Sequence, residues 1–181
     1  MEYKQASRDD IDVFIEHRME FVTSIRKIED CDSFKDRTRK YLEEHIDKED
    51  LIIFIAKERG KIISSCMACI YETMPLPSCP WGKSAELLNV YTLSEWRRNG
   101  FAEKLIHMLI AESKKRGVEK ILLDYTDAGL PLYKKLGFIP LGHQMQIRIW
   151  ANWEVKEPTQ YAFGFRTNLL RIKIYYWVFL K

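Results

Sequence analysis

Arg97-Arg98-Asn99-Gly100-Phe101-Ala102 holds the residue types most directly suited to chemistry. It lies between an apolar run, Ala85 to Leu93, and a helical pattern from Phe101 to Arg116. A glycine and a small residue at a strand-to-helix turn leave backbone N–H groups bare at a helix start. The positive end of the helix dipole converges on the same point, so such a turn suits a phosphate or pyrophosphate. Two nucleotide motifs fail nearby. Gly82-Lys83-Ser84 ends like a P-loop, but Pro77 stands where that motif needs its first glycine, and a strand rather than a helix follows. The dinucleotide fingerprint also fails, because Gly100 is the only glycine between Gly82 and Gly117. Nucleotide hydrolysis and nicotinamide chemistry are thereby excluded.

Cysteine and histidine offer less. Cys66-Met67-Ala68-Cys69 has redox and zinc spacing, but it sits in an apolar segment, Ile62 to Tyr71, that reads as a buried strand. An offset of three puts the two thiols on opposite faces of a strand. With no second pair and no nearby histidine couple, neither a metal nor a disulfide is assigned, Cys31 and Cys79 included. His17, His45, His107 and His143 each stand alone, outside any triad.

Strands and helices alternate around the turn. Tyr3 to Gln5 is a short opening strand, and Arg8-Asp9-Asp10 leads into a helix with Ile11, Phe14, Ile15, Arg18, Met19 and Val22 spaced by three and four. A second helix is expected from Ser33 to about Ile46. Leu51 to Lys57 and Lys61 to Tyr71 form a hairpin around Glu58-Arg59-Gly60, and the proline-rich Met74 to Lys83 stretch is an irregular connection. The strand Ala85 to Leu93 follows, and then a helix with a stripe of Ala102, Leu105, Ile106, Leu109 and Ile110, stopped by Gly117. Lys120 to Tyr125 reads as a strand, Thr126 or Asp127 as the cap of a brief helix over Gly129 to Leu136, Gly137-Phe138-Ile139 as the opening of a further strand, and Gln144 to Trp150 as the last. The order is mixed α/β with a partly antiparallel sheet.

Composition narrows the partners. A chain of 181 residues, 46% hydrophobic and 13% aromatic, suits one packed domain. The net charge of +3 is mild and the cations are interspersed with acids, which argues against a nucleic-acid partner. No run of eighteen apolar residues marks a transmembrane segment, and Met1 to Gln5 lacks the apolar core of a signal peptide. A cytoplasmic protein is the expectation.

From Ala85 to Phe138 the chain resembles the GCN5-related N-acetyltransferase superfamily. The acetyl-CoA loop of that family reads Gln or Arg, two residues, Gly, one residue, then Gly or Ala; Arg97, Gly100 and Ala102 fill those positions. Leu132-Tyr133-Lys134-Lys135-Leu136-Gly137-Phe138 looks like the family's late helix-to-strand signature, and Arg8-Asp9-Asp10-Ile11 is similar to its first βα junction. The likeness covers about Tyr3 to Ile149, which implies an acetyltransferase domain over residues 1–150 and an extension over 151–181. The implied fold is a central, mostly antiparallel sheet flanked by helices.

The implied activity is transfer of acetyl from acetyl-CoA to a primary amine, on a small molecule or a peptide, by direct attack in a ternary complex. A non-catalytic acyl-CoA sensor is the alternative. Amides from Arg98, Asn99, Gly100, Phe101, Ala102 and Glu103 would bind the CoA pyrophosphate, with Arg97 adding charge. Backbone groups of Tyr91, Thr92 and Leu93 would pair with the pantetheine arm. Tyr133 occupies the family's tyrosine position beside the sulfur and would protonate the leaving thiolate. Glu86, eleven residues before Arg97, matches the offset of the basic glutamate in the histone-acetylating branch. A carboxylate partly buried there would have a raised pKa and accept a proton, the competing reading being an exposed glutamate at a strand's start. Asn89, Asp124 and Asp127 are weaker options for the base. Arg18 and Glu20 fall on the helix where the family builds its acceptor pocket. The aromatic tail from Leu169 to Lys181 is expected to pack against something, a second copy of the chain among the choices.

Overall fold

Ser7 and Asp10 start the first helical segment: the Asp10 carboxylate accepts from the Ser7 amide at 3.0 Å and from its hydroxyl at 3.1 Å. The computed structural model describes residues 1–142. A 3₁₀ turn over Arg8–Asp10 runs into α1, Ile11–Ile25, which buries Ile11, Phe14, Ile15 and Met19 on one stripe. α2 spans Cys31–His45, starting two residues before the expected Ser33. Asp30 sets that start, its side chain accepting from the Ser33 amide at 2.9 Å.

Five strands form one sheet in the order β1-β2-β3-β4-β5: β1 is Glu2–Gln5, β2 Leu51–Glu58, β3 Lys61–Glu72, β4 Lys83–Thr92 and β5 Lys120–Leu122. Every neighbouring pair is antiparallel except β4 with β5. The expected hairpin joins β2 to β3 through Arg59 and Gly60, whose φ values of 49° and 81° fit the tight turn that matches strand twist. Between β3 and β4, the Thr73 amide bonds the Gly82 carbonyl at 2.8 Å. A Cβ at Gly82 would lie 2.1 Å from the Thr73 oxygen, so only glycine closes this loop.

Alternation along the strands builds two cores. Ile52, Phe54, Cys66, Ala68, Ala85 and Leu87 face α3, Phe101–Lys115, whose Leu105, Ile106 and Leu109 are fully buried. Leu51, Ile53, Ile55, Ile62 and Met67 face α1 and α2. Cys66 and Cys69 fall on opposite faces as expected, and the four cysteines are free. Among the described residues no helix is long and apolar enough to cross a membrane.

The late elements differ from expectation. β5 stops at Leu122 instead of Tyr125, because its pairing with β4 ends at Glu86 opposite Leu122. The brief helix is α4, Leu130–Lys135, with Gly129 at its N-cap; Thr126, not Asp127, secures the turn before it through bonds from the Gly129 and Leu130 amides. Gly137-Phe138-Ile139 opens no strand among the described residues. Gly137, at φ 89°, instead closes α4, with its own amide on the Lys134 carbonyl and the Phe138 amide on the Tyr133 carbonyl at 3.0 Å. These elements all belong to one compact unit, Met1–Pro140. His143, the expected strand Gln144 to Trp150, the 150/151 boundary and the 151–181 extension lie outside the described residues.

Candidate functional site

The strand that precedes the turn is irregular where the chemistry is expected. Ser65 pairs with Tyr91 and Met67 with Leu88, so the single residue Cys66 opposes two, Asn89 and Val90. This β-bulge places Asn89 at φ 51°, a conformation asparagine tolerates better than most residues. Asn89 is buried and held from both ends: its Nδ2 donates to Ser65 Oγ at 2.9 Å, and its Oδ1 accepts from Arg18 at 2.9 Å. The pairing of β4 with β5 covers only Ser84 to Glu86. Beyond it the β4 edge that faced β5 has no partner strand among the described residues. The result is a wedge with a backbone edge that reaches Thr92; at Leu93, expected to share it, the amide already bonds the Ile63 carbonyl and the carbonyl takes the Trp96 amide.

At the wide end of the wedge lies the turn. Ser94–Trp96 forms a 3₁₀ turn, Arg98 takes φ 62°, and Gly100 takes φ 78° as the N-cap of α3. The first intrahelical bond runs from the Lys104 amide to the Gly100 carbonyl at 3.0 Å. No side chain caps α3, so the amides of Arg98, Asn99, Gly100, Phe101, Ala102 and Glu103 find no acceptor among the described residues. Paired left-handed residues around a helix start make a concave nest of donors with positive potential. Asn99 does not close the nest; its Nδ2 donates outward to the Trp96 and Arg97 carbonyls. Glu103 pairs with Lys135 of α4 at 2.7 Å, tying the first turn of α3 to the helix that carries Tyr133. Arg97, expected only to add charge, donates its Nε to the Thr92 carbonyl at 3.0 Å and lies 5.8 Å from the Tyr91 ring centroid.

Tyr133 is buried on the α3 side of the sheet, with its ring edge-on to Phe138 at 5.8 Å. Burial pushes its phenol up to about 12, and the Cys66 thiol opposite the bulge adds to the shift. The hydroxyl finds no hydrogen-bond partner among the described residues. A Cβ on Gly129 would stand 3.0 Å from Tyr133 Cε2, so the N-cap glycine of α4 leaves room for the ring.

Glu86 is exposed, not partly buried. It stands opposite Cys69 on β3 and Leu122 on β5, on the α1 and α2 side of the sheet. Asp124 and Asp127 are exposed as well. Tyr91 lies under α1 against His17 and Phe21, and its hydroxyl donates to Glu20 at 3.0 Å. Asn89, a weak candidate base on sequence, is thus structural: both ends of its amide are engaged. Ser65 was not singled out, because nothing in a run of apolar residues and serines marks a register shift.

Comparison with known proteins places this geometry. The sequence profile of the acetyltransferase (GNAT) family matches residues 22–138. No curated protein sequence gives a match. Among solved structures, a predicted acetyltransferase from Clostridium acetobutylicum, bound to acetyl-CoA, is 24% identical, with a TM-score of 0.75 over 81% of this chain and 95% of the other. A GCN5-related N-acetyltransferase from Ralstonia eutropha JMP134 is 23% identical, with a TM-score of 0.70 over 81% and 97%. Glucosamine-6-phosphate N-acetyltransferase from Arabidopsis thaliana is 21% identical, with a TM-score of 0.62 over 81% and 97%.

Proposed function

We infer that this chain, which belongs to the acetyltransferase (GNAT) family, moves an acetyl group from acetyl-CoA to a primary amine within a ternary complex. The observation that carries the reading is the cluster of bare backbone donors at the α3 start, next to a β4 edge without a partner strand among the described residues. The six amides of Arg98 to Glu103 suit the pyrophosphate, and the β4 edge that ends at Thr92 suits the pantetheine amides, whereas Leu93 already bonds Ile63 and Trp96 through its own backbone. Use of the Thr92 carbonyl by pantetheine requires Arg97 to release it, and the guanidinium then becomes available to the phosphates.

The chemistry follows from the groups around the bulge. The amine nitrogen attacks the thioester carbonyl carbon, the C–S bond breaks with its electron pair leaving on sulfur, and the proton that the nitrogen still carries in excess passes to water as the amide forms. Tyr133, protonated at neutral pH, donates a hydrogen bond to that sulfur as charge develops. Full transfer is uphill, because its phenol near 12 is a weaker acid than a thiol of pKa roughly 8.5. Its role is therefore stabilisation of the thiolate. Glu86, on the opposite face and open to solvent, takes the proton from the incoming ammonium and passes it to water. No covalent acyl-enzyme is needed. Cys66 is wholly buried with its thiol pushed up by burial, which leaves it a poor nucleophile.

Four free thiols and the use of acetyl-CoA fit a reducing, cytoplasmic setting. The apolar and aromatic 151–181 extension is assigned a packing role, against a second copy of the chain. The test is calorimetric titration with acetyl-CoA, followed by thiol release across a library of primary amines. Saturable binding with amine-dependent release is expected. Binding without release for any amine would leave a sensor, and no binding would remove the reading altogether.

A further inference from the structure

Arg18 is a half-buried cation without a counter-charge among the described residues. It sits on the apolar stripe of α1, gives one N–H to Asn89 Oδ1 at 2.9 Å, and lies 5.8 Å from the Phe34 ring centroid. A guanidinium carries five N–H donors, so most of its capacity is unused. No carboxylate approaches it within ion-pair distance among the described residues. The acids near by on α1 are committed elsewhere: Asp12 to Arg39 at 2.6 Å, Glu16 to Lys35 at 2.8 Å, and Glu20 to the Tyr91 hydroxyl at 3.0 Å. Asp50 is taken by His45 at 2.8 Å. Burial depresses the Arg18 pKa, and the one titratable group acting on it is the Cys69 thiol. That thiol is itself pushed up by burial, so it is neutral and supplies no charge. A charge withdrawn from water without a partner is costly, and proteins keep such charges where a ligand supplies the partner.

The position is informative. Asn89 is the bulge residue, so Arg18 borders the point where the β4 edge opens. Glu86 stands opposite Cys69 on β3, and Arg18, Glu86 and Asp50 all act electrostatically on the Cys69 thiol. A carboxylate suited to an ammonium and a guanidinium suited to an anion are thus both within electrostatic reach of one β3 residue.

We propose that Arg18 receives a carboxylate carried by the acceptor, so that the substrate class is an amino-carboxylate, an amino acid or short peptide, held with its amine toward Glu86 and the thioester. This rests on the acetyl-transfer reading above. A carboxylate fits better than a phosphate: no second cation acts on Arg18, and one planar guanidinium matches the two oxygens of a monoanion.

The experiment compares matched acceptors with the full-length enzyme and acetyl-CoA: glycine with glycinamide, β-alanine with its amide, diglycine with its amide, and glucosamine 6-phosphate with glucosamine. For at least one carboxylate pair, kcat/KM should favour the acid by about 100-fold, and Arg18→Gln should reduce that preference to within about threefold. Arg18→Gln should leave the acetyl-CoA Kd unchanged, and Arg18→Lys should recover part of the preference. If no acid is preferred, or if Arg18→Gln lowers acid and amide alike, the proposal is overturned. Preference for the phosphate alone overturns it in favour of that anion. Failure of wild-type enzyme to bind acetyl-CoA is a separate result, which removes the underlying reading instead.

Discussion

Tyr133 keeps its proton through the neutral range because the sheet, α3 and Phe138 exclude water from its ring. Tyr133→Phe removes one hydroxyl that has no partner to lose among the described residues, so the fold should be unaffected. Steady-state kinetics should show kcat lower by about 100-fold while the acetyl-CoA Kd moves less than about threefold. Equal losses in both would place the hydroxyl in binding instead. His17 reports a different balance. It is 5% exposed, its Nε2 has no partner, and burial pushes its pKa down to about 4 from an ordinary 6.5. Below 6.5 the unfolded chain takes up a proton that the folded chain refuses until about 4, so stability is full above 6.5 and falls as the pH drops between these values. The loss should approach about 3 kcal/mol. Asp10 adds a second acid loss below it. Burial opposes its charge, but hydrogen bonds from Lys4, the Ser7 amide and Lys57 hold it at about 2, below its ordinary 3.8. Its contribution is present above 3.8 and disappears as pH falls through 2. Chemical denaturation across pH should show two steps, and His17→Phe should flatten the upper one.

Among the elements, α4 is short and is held by Leu132, Tyr133 and Leu136 packed on the α3-side core, by Gly129 beneath the Tyr133 ring, by the Lys135 ion pair to Glu103, and by the Gly137 closure. Gly129 has ordinary backbone angles, so Gly129→Ala carries no φ penalty and acts by displacing the ring by a few tenths of an ångström. Activity should fall about tenfold with little change in Tm, because displacement of a catalytic group costs rate before it costs stability. A large drop in Tm would show that Gly129 serves the fold. Elements whose residues follow a period of two or near 3.6 were legible in the sequence: α1, α3 and the β2-β3 hairpin stand where their apolar stripes put them. Boundaries decided by one side chain were less so, as when Asp30 draws α2 forward from Ser33.

For the molecule as a whole, the turn from Arg97 to Ala102 and the sheet it follows were readable because glycine at a strand-to-helix junction is a local signal. The bulge was not. It exists only as a mismatch between two strands, one residue on β3 against two on β4, and a single chain carries no mark of that except an asparagine in an apolar run. Arg18 gave the same difficulty: its spacing assigned it to a core stripe, and only the folded chain shows it beside Asn89 with its charge unanswered among the described residues.

The three-residue seam between β4 and β5 has a consequence for the protein's persistence. If pantetheine supplies the hydrogen bonds that β5 stops supplying at Leu122, the donor itself behaves as a strand laid along the β4 edge. By mass action, acetyl-CoA at a hundred times its Kd should stabilise the chain by about 2.7 kcal/mol. Thermal denaturation should register this, and amide exchange should slow at Thr92 and at Arg98 to Glu103 together. The lifetime of the protein against proteolysis would then rise and fall with the supply of activated acetate.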